Sequence, residues 1–339
     1  MPRVLQAFKA TGDVDRATIA KAAKLLREGR LVAVPTETVY GLAANALDEA
    51  AVRRIFEAKG RPAFNPLIVH VPGVDEARRL SSAWPELAER LAGAFWPGPL
   101  TLIVPKAPSI PEAVTAGLPS VALRAPSHPV ARALLLECGL PLAAPSANLF
   151  GAVSPTTAAH VAQSLGEGVD LVLDGGPCEV GIESTVIHLT GGRPRVLRPG
   201  GVTAQALASV IGPVDEINQT VDTGARPSPG LLSRHYAPRG KAQLVAAAAF
   251  GATLAALPPE ARIGAVVREL PAPVDARLVA WERLGSSPEA FQRRLYAALH
   301  RLDEAGATDV LLESPPDEPE WEAVADRLRR AAGPDDSSD

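Results

Sequence analysis

The feature that most constrains the fold is an alternation, kept up along most of the chain, between short apolar runs of strand length and longer helix-like segments. LVAVP (31–35), PLIVHV (66–71), PLTLIV (99–104), SVALR (120–124), DLVLD (170–174), STVIHL (184–189) and RVLR (195–198) read as strands. Residues 15–28, 48–58, 128–138 and 156–165 read as helices. Asp48 is the expected N-cap of the second helix, and Thr156 opens the fourth. Interleaving of this kind predicts an α/β domain built on one large sheet. The pattern stops at 213–240, a polar stretch rich in Gly and Pro, and resumes beyond it. Strands are expected there near 242–247, 262–267, 276–281 and 308–313, with helices near 287–304 and 319–332. The organisation is therefore read as a domain over 1–212, a linker or lid over 213–240, a smaller α/β domain over 241–333 and a frayed tail over 334–339.

Composition narrows the function classes. With 339 residues, 47% hydrophobic and 21% charged, the chain has material for two packed cores. A formal net charge of −4 gives no global attraction to nucleic acid, so a basic site has to be local. The two cysteines, Cys138 and Cys178, can build neither a disulfide framework nor a zinc site unaided. With no signal-like or membrane-length apolar run, the expectation is a cytoplasmic protein without a membrane span. P-loop, dinucleotide-fingerprint, HExxH and GxSxG signatures are all missing. What remains is chemistry driven by positioning and charge.

Polar residues gather where such chemistry would sit. VPTETVYGL follows a buried strand, which puts Thr36 and Thr38 at a strand's carboxyl end, the usual ligand position in α/β sheets. The helix over 48–58 then delivers Lys59, Arg61 and Asn65 to a Gly/Pro-rich turn, where two cations can face one anion. His70 lies inside the next strand. Arg124 ends another and brings its charge to the sheet's rim. PLAAPSANLFGAVSPT carries Ser146, Asn148 and Ser154 in a loop able to hold phosphate or carboxylate oxygens. Ser184 and Arg198 each place a polar group beside a strand, and Tyr236 is an isolated aromatic in the linker. Each cluster also has a plainer reading: a solvated turn, a core histidine, a surface ion pair, capping chemistry, or an aromatic that pins the linker down.

Taken together and in order, PTETVYGL, KGRP with NPLIVHV, FWPGPLT (95–101), VALR, APSAN, SPT, GIEST, LRPG and HYAP resemble the YrdC-type threonylcarbamoyl-adenylate synthase family in its long, two-domain form. The resemblance covers nearly the whole chain. It implies a twisted mixed sheet flanked by helices around a large cavity, followed by a smaller Rossmann-like domain. It implies an enzyme that joins L-threonine, bicarbonate and ATP into threonylcarbamoyl-adenylate for tRNA modification beside the anticodon. By the same resemblance, Lys59, Arg61, Ser146 and Asn148 are the catalytic set at the ATP phosphates. Asn65, Ser120, Ser154, Arg198 and Tyr236 are further nucleotide contacts, with Tyr236 covering the filled cavity. Thr36, His70, Arg124 and Ser184 surround threonine. Magnesium is expected on the ATP phosphates with no metal ligand from the protein, a downstream threonylcarbamoyl transferase complex as partner, and no stable tRNA binding. Asp326 stands where the family usually has Asn. Two other readings compete: a carbamoyl-transfer enzyme of hydrogenase maturation, disfavoured by the cysteine count, and an RNA-binding or ribosome-maturation factor, disfavoured by the net charge.

Overall fold

The computed structural model describes residues 2–216 and 234–334. It divides into two compact units. The first comprises 1–150, 155–179 and 183–231. The second comprises 151–154, 180–182 and 232–339. Most of the expected linker, 217–233, lies outside the described residues.

In the first unit the elements run β1 (Val4–Gln6), α1 (Arg16–Arg27), β2 (Val32–Val34), β3 (Gly41–Asn45), α2 (Glu49–Lys59), β4 (Ile68–His70), α3 (Val74–Arg79), α4 (Glu86–Phe95), β5 (Leu100–Pro105), α5 (Glu112–Thr115), β6 (Ser120–Arg124), α6 (Pro129–Cys138), β7 (Leu142–Ala143), α7 (Ala158–Leu165), β8 (Leu171–Asp174), β9 (Thr185–His188), β10 (Arg195–Arg198), α8 (Ala204–Ile211) and β11 (Asp215–Glu216). The strands form one mixed sheet in the order β1-β8-β2-β3-β7-β4-β6-β5-β9-β10-β11. The expected helices form. Asp15 and Asp48 accept backbone N–H groups at the starts of α1 and α2, Asp48 as expected, whereas the fourth helix, α7, starts one residue later than Thr156, with Thr157 as its cap.

Strand alternation decides what each face of this sheet meets. At the β1–β7 end both faces are covered. Ala33, Leu42, Ala44 and Val172 face a core shared with α2, α4 and α7. Val32, Val34, Ala43, Leu171 and Leu173 face a second core built with α1 and α6. At the β4–β10 end the first core continues under one face through Leu67, Val69, Leu100, Leu102, Val104, Val121, Leu123, Ile187 and Val196. The alternate residues point the other way. There Ile68, Ile103, Ala122, Val186 and Leu197 form a small apolar patch of their own.

The second unit contains β12 (Lys241–Val245), α9 (Phe250–Ala256), β13 (Ile263–Val267), β14 (Leu278–Arg283), α10 (Pro288–Glu304), β15 (Asp309–Glu313) and α11 (Glu322–Ala332). Its four strands are all parallel, in the order β12-β15-β13-β14, consistent with the smaller Rossmann-like domain that the resemblance implies. Asp326 accepts hydrogen bonds from Arg327 at 2.5 Å and Arg330 at 2.9 Å, so the unusual acid serves as counter-ion to two buried arginines of α11.

Candidate active site

The residues singled out in β4, β6, β9 and β10 share one face of the sheet. His70 is register partner of Arg124 on the parallel neighbour, two positions on from the pair Ile68–Ala122. Ser120, Ala122 and Arg124 alternate along β6. Thr101 pairs with Val186 and Ile103 with Ala122, which puts Thr101 on the same face. The Ser184 hydroxyl lies 2.8 Å from that of Thr101, and Arg198 pairs with Val186. His70, Ser120, Thr101, Arg124, Ser184 and Arg198 thus flank the small apolar patch rather than joining the main core. Ser120 and Arg124 stand at opposite ends of β6, four residues or about 13 Å apart.

At one end of this face, α2 terminates at Gly60, whose φ of +59° turns the chain sharply. Lys59 is buried, and its ammonium donates to the backbone carbonyls of Ser146 and Asn148. Phe150 N–H returns a bond to the Lys59 carbonyl at 2.9 Å. The Ser-Ala-Asn loop is therefore tied to the end of α2 from both sides. Burial, and then the neighbouring Arg61 charge, push the Lys59 ammonium well below its ordinary pKa. Arg61 donates to the carbonyls of Asn65 at 3.3 Å and Pro66 at 2.9 Å and so closes its own turn. Asn65 is completely buried, and neither end of its side-chain amide finds a hydrogen bond.

The Thr36 hydroxyl holds the turn after β2, engaging the Thr38 hydroxyl at 2.8 Å, the Val39 carbonyl at 2.6 Å and the N–H groups of both residues. Between the threonines, Glu37 reaches Arg124, with Oε1 2.7 Å from Nη2. Nε and Nη2 of Arg124 make no directed hydrogen bond, and neither ring nitrogen of His70 does. Burial, helped by the Arg124 charge, pushes His70 down to about 3, so the imidazole is neutral at physiological pH. Arg198 donates from Nε and Nη2 to the Ser184 carbonyl and from Nη2 to the Ser184 hydroxyl.

Three groupings result: Lys59, Arg61, Asn65, Ser146 and Asn148; Thr36, Glu37, His70 and Arg124; and Thr101, Ser184 and Arg198. Ser154 and Tyr236 belong to the second unit. There Tyr236 is buried, 5.7 Å from the Tyr296 ring and with the Arg327 guanidinium 5.3 Å from its own ring centre. Sequence reasoning missed Glu37 and Thr101. The signal for Thr101 was its position two residues before Ile103 on a half-apolar strand. Nothing local marks Glu37, because an acid between two threonines reads as solvated. Burying an unpaired polar group costs about 1–3 kcal/mol. The open valences of Asn65, His70 and Arg124 are therefore what a polar ligand would complete.

The chain is similar to known proteins along nearly its whole length. The family model described as "Telomere recombination" matches residues 24–200, and the model of the threonylcarbamoyl-AMP synthase C-terminal domain matches 202–333. A threonylcarbamoyl-AMP synthase of Bacillus subtilis is 44% identical, covering 93% of both chains. One of Pyrococcus abyssi is 42% identical, over 92% of this chain and 93% of its own. The crystal structure of P. abyssi Sua5 complexed with L-threonine superposes with a TM-score of 0.87 at 39% identity, covering 97% of each chain.

Proposed function

The chain belongs to the threonylcarbamoyl-AMP synthase family, and on that premise we propose how its residues divide the work. It is a nucleotidyltransferase that makes threonylcarbamoyl-AMP for tRNA modification. The amino acid is L-threonine, as in the solved relative, and ATP supplies the adenylate. We take the one-carbon donor to be bicarbonate or the carbon dioxide in equilibrium with it. The threonine amine adds to carbon dioxide with loss of a proton. A carbamate oxygen then attacks the α-phosphorus, and pyrophosphate leaves.

A carbamate decomposes readily in water, so the reaction calls for shielding and for cations at the phosphorus more than for a protein nucleophile. Arg124 offers two N–H groups on one edge, the geometry that matches an α-carboxylate. Neutral His70, Thr36 and Ser184 are assigned to the threonine's remaining polar groups. Lys59 and Arg61, with Ser146 and Asn148, are assigned to the phosphates. In this reading Lys59 acts partly by fixing the loop whose carbonyls it holds. Asn65, Ser120 and Arg198 are assigned to the rest of the nucleotide.

Magnesium would arrive on the ATP phosphates. Among the described residues no group of three or more His, Cys, Asp or Glu side chains could hold a metal ion, whereas hydroxyls and amides of the loop suit a phosphate-bound one. The product passes to a threonylcarbamoyl transferase in the cytoplasm. No described helix is long and apolar enough to cross a membrane.

The observation that carries this reading is the set of buried, unsatisfied polar atoms on Asn65, His70 and Arg124 around one sheet face. The test is pyrophosphate release that requires L-threonine, bicarbonate and ATP together. Arg61→Ala is expected to abolish it in a folded protein. Arg124→Ala is expected to raise the threonine KM at least tenfold more than the ATP KM. Release that proceeds without threonine, or equal effects on the two KM values, would count against the assignment.

A further inference from the structure

Glu37 is 3% exposed, and no ligand contact has yet been assigned to it. Its turn is rigid, because the flanking Thr36 and Thr38 hydroxyls bond one another. It forms a close ion pair with Arg124, Oε1 and Nη2 approaching to 2.7 Å, but neither carboxylate oxygen is met by a well-aligned hydrogen bond. The N–H groups of Glu37 itself and of Ser127 add positive potential without reaching hydrogen-bond geometry. Burial pushes the carboxyl up, but Arg124 and these N–H groups more than offset it. Glu37 therefore stays ionised at neutral pH.

A buried arginine standing alone would attract any carboxylate. Beside Glu37 it becomes one end of a fixed dipole whose net charge is zero. A simple anion entering this site gains attraction from Arg124 and suffers repulsion from Glu37, and at low dielectric both are strong. A zwitterion gains at both ends, since its α-ammonium and α-carboxylate are one carbon apart and the two protein charges are in contact. The ammonium also brings the donors that the Glu37 oxygens lack, removing a desolvation cost.

We propose that Glu37 and Arg124 act together as a clamp for a zwitterion, Glu37 receiving the α-ammonium while Arg124 receives the α-carboxylate, so that Glu37 determines specificity for an amino acid over a plain carboxylic acid. This rests on the reading that the amino acid binds beside Arg124. Selectivity then comes partly from repulsion of the wrong ligand.

The experiment is calorimetric titration of L-threonine and of 3-hydroxybutyrate, the same skeleton without the amine, into wild-type protein, Glu37→Gln, Glu37→Asp and Arg124→Ala. In Glu37→Gln the preference for L-threonine over 3-hydroxybutyrate is expected to fall at least tenfold, threonine binding more weakly while 3-hydroxybutyrate binds as well or better. Glu37→Asp keeps the charge one methylene further back and is expected to fall between Gln and wild type. A purely structural role would weaken both ligands by one factor, and that result overturns the clamp. Should Glu37→Gln not fold, an undiminished preference in Glu37→Asp overturns it instead. Arg124→Ala separates the premise from the proposal: threonine binding unchanged there removes Arg124 from the site, whatever Glu37 does.

Discussion

At the scale of single residues, the groups on this sheet face are expensive to bury and are kept in place by their neighbours. His70 shows the cost most directly. In the unfolded chain its imidazole titrates near 6.5, whereas in the folded protein burial and Arg124 hold it at about 3. Between those values the unfolded chain binds more protons than the native one. Stability therefore rises with pH across that window and is lost as pH falls through it, at a limiting slope of about 1.4 kcal/mol per pH unit. The melting temperature of wild-type protein should accordingly drop more steeply from pH 6.5 toward pH 4 than that of His70→Gln, which has no imidazole to charge. Parallel curves in scanning calorimetry would mean that the histidine is solvated, and the reading of a dry, ligand-completing site would lose its support. Glu37 contributes with the same sign, since its depressed carboxyl also resists protonation until the pH is low.

At the scale of elements, close backbone approach matters as much as hydrogen bonding. The turn after β10 brings Gly200 so near the start of β9 that a Cβ there would lie 2.4 Å from the Thr185 nitrogen and 2.5 Å from the Glu183 carbonyl oxygen. These backbone atoms flank Ser184, so a shift of the β9 start to relieve the clash would move Ser184 relative to Thr101 and Arg198. Gly200→Ala is expected to cost about 1–3 kcal/mol by overpacking and to raise the L-threonine KM more than the ATP KM. Wild-type melting and kinetics in that variant would show that the turn has slack. The same elements explain what the sequence made legible. Strands with β-branched runs, such as β5 and β9, and helices with a capping side chain, such as α1 and α2, could be read directly. β3 could not, because Gly41-Leu-Ala-Ala-Asn45 has no strand propensity of its own and is extended only by pairing with β2 and β7. α3 and α4 begin at Gly73 and Pro85 without a capping side chain, so nothing local announces them. In the site, Arg124 and His70 could be found because they interrupt apolar strands. The Glu37–Arg124 pair could not, because it joins positions 87 residues apart through a fold that local periodicity does not encode.

At the scale of the whole molecule, the two units differ in how far each depends on the rest of the chain. Every residue of the three apolar groupings in the first unit lies at or before Val214. The separate grouping around Phe250 and Ile263 is built entirely from residues beyond Ala242. A chain ending at Glu216 keeps all of the first set, along with β11, so it is expected to fold cooperatively and to bind L-threonine through Arg124. It would not keep the surroundings of 151–154 and 180–182, which belong to the second unit. In the intact chain the Gly151 carbonyl accepts the Ala237 N–H at 3.1 Å, the Ser154 carbonyl meets His300 at 3.1 Å, and Gly181 is packed so closely on Arg293 that a Cβ would lie 2.5 Å from its Cα. Without these partners both short segments should lose protection against amide exchange, while β4, β5 and β6 keep theirs. Because 151–154 continues directly from the loop bearing Ser146 and Asn148, loosening it should impair adenylate formation more than threonine binding. Hydrogen exchange on the fragment, beside threonine titration and pyrophosphate release, separates these outcomes. Uniform loss of protection across the central strands would mean that the first unit does not stand alone, and intact turnover would mean that the phosphate loop needs no support from its continuation.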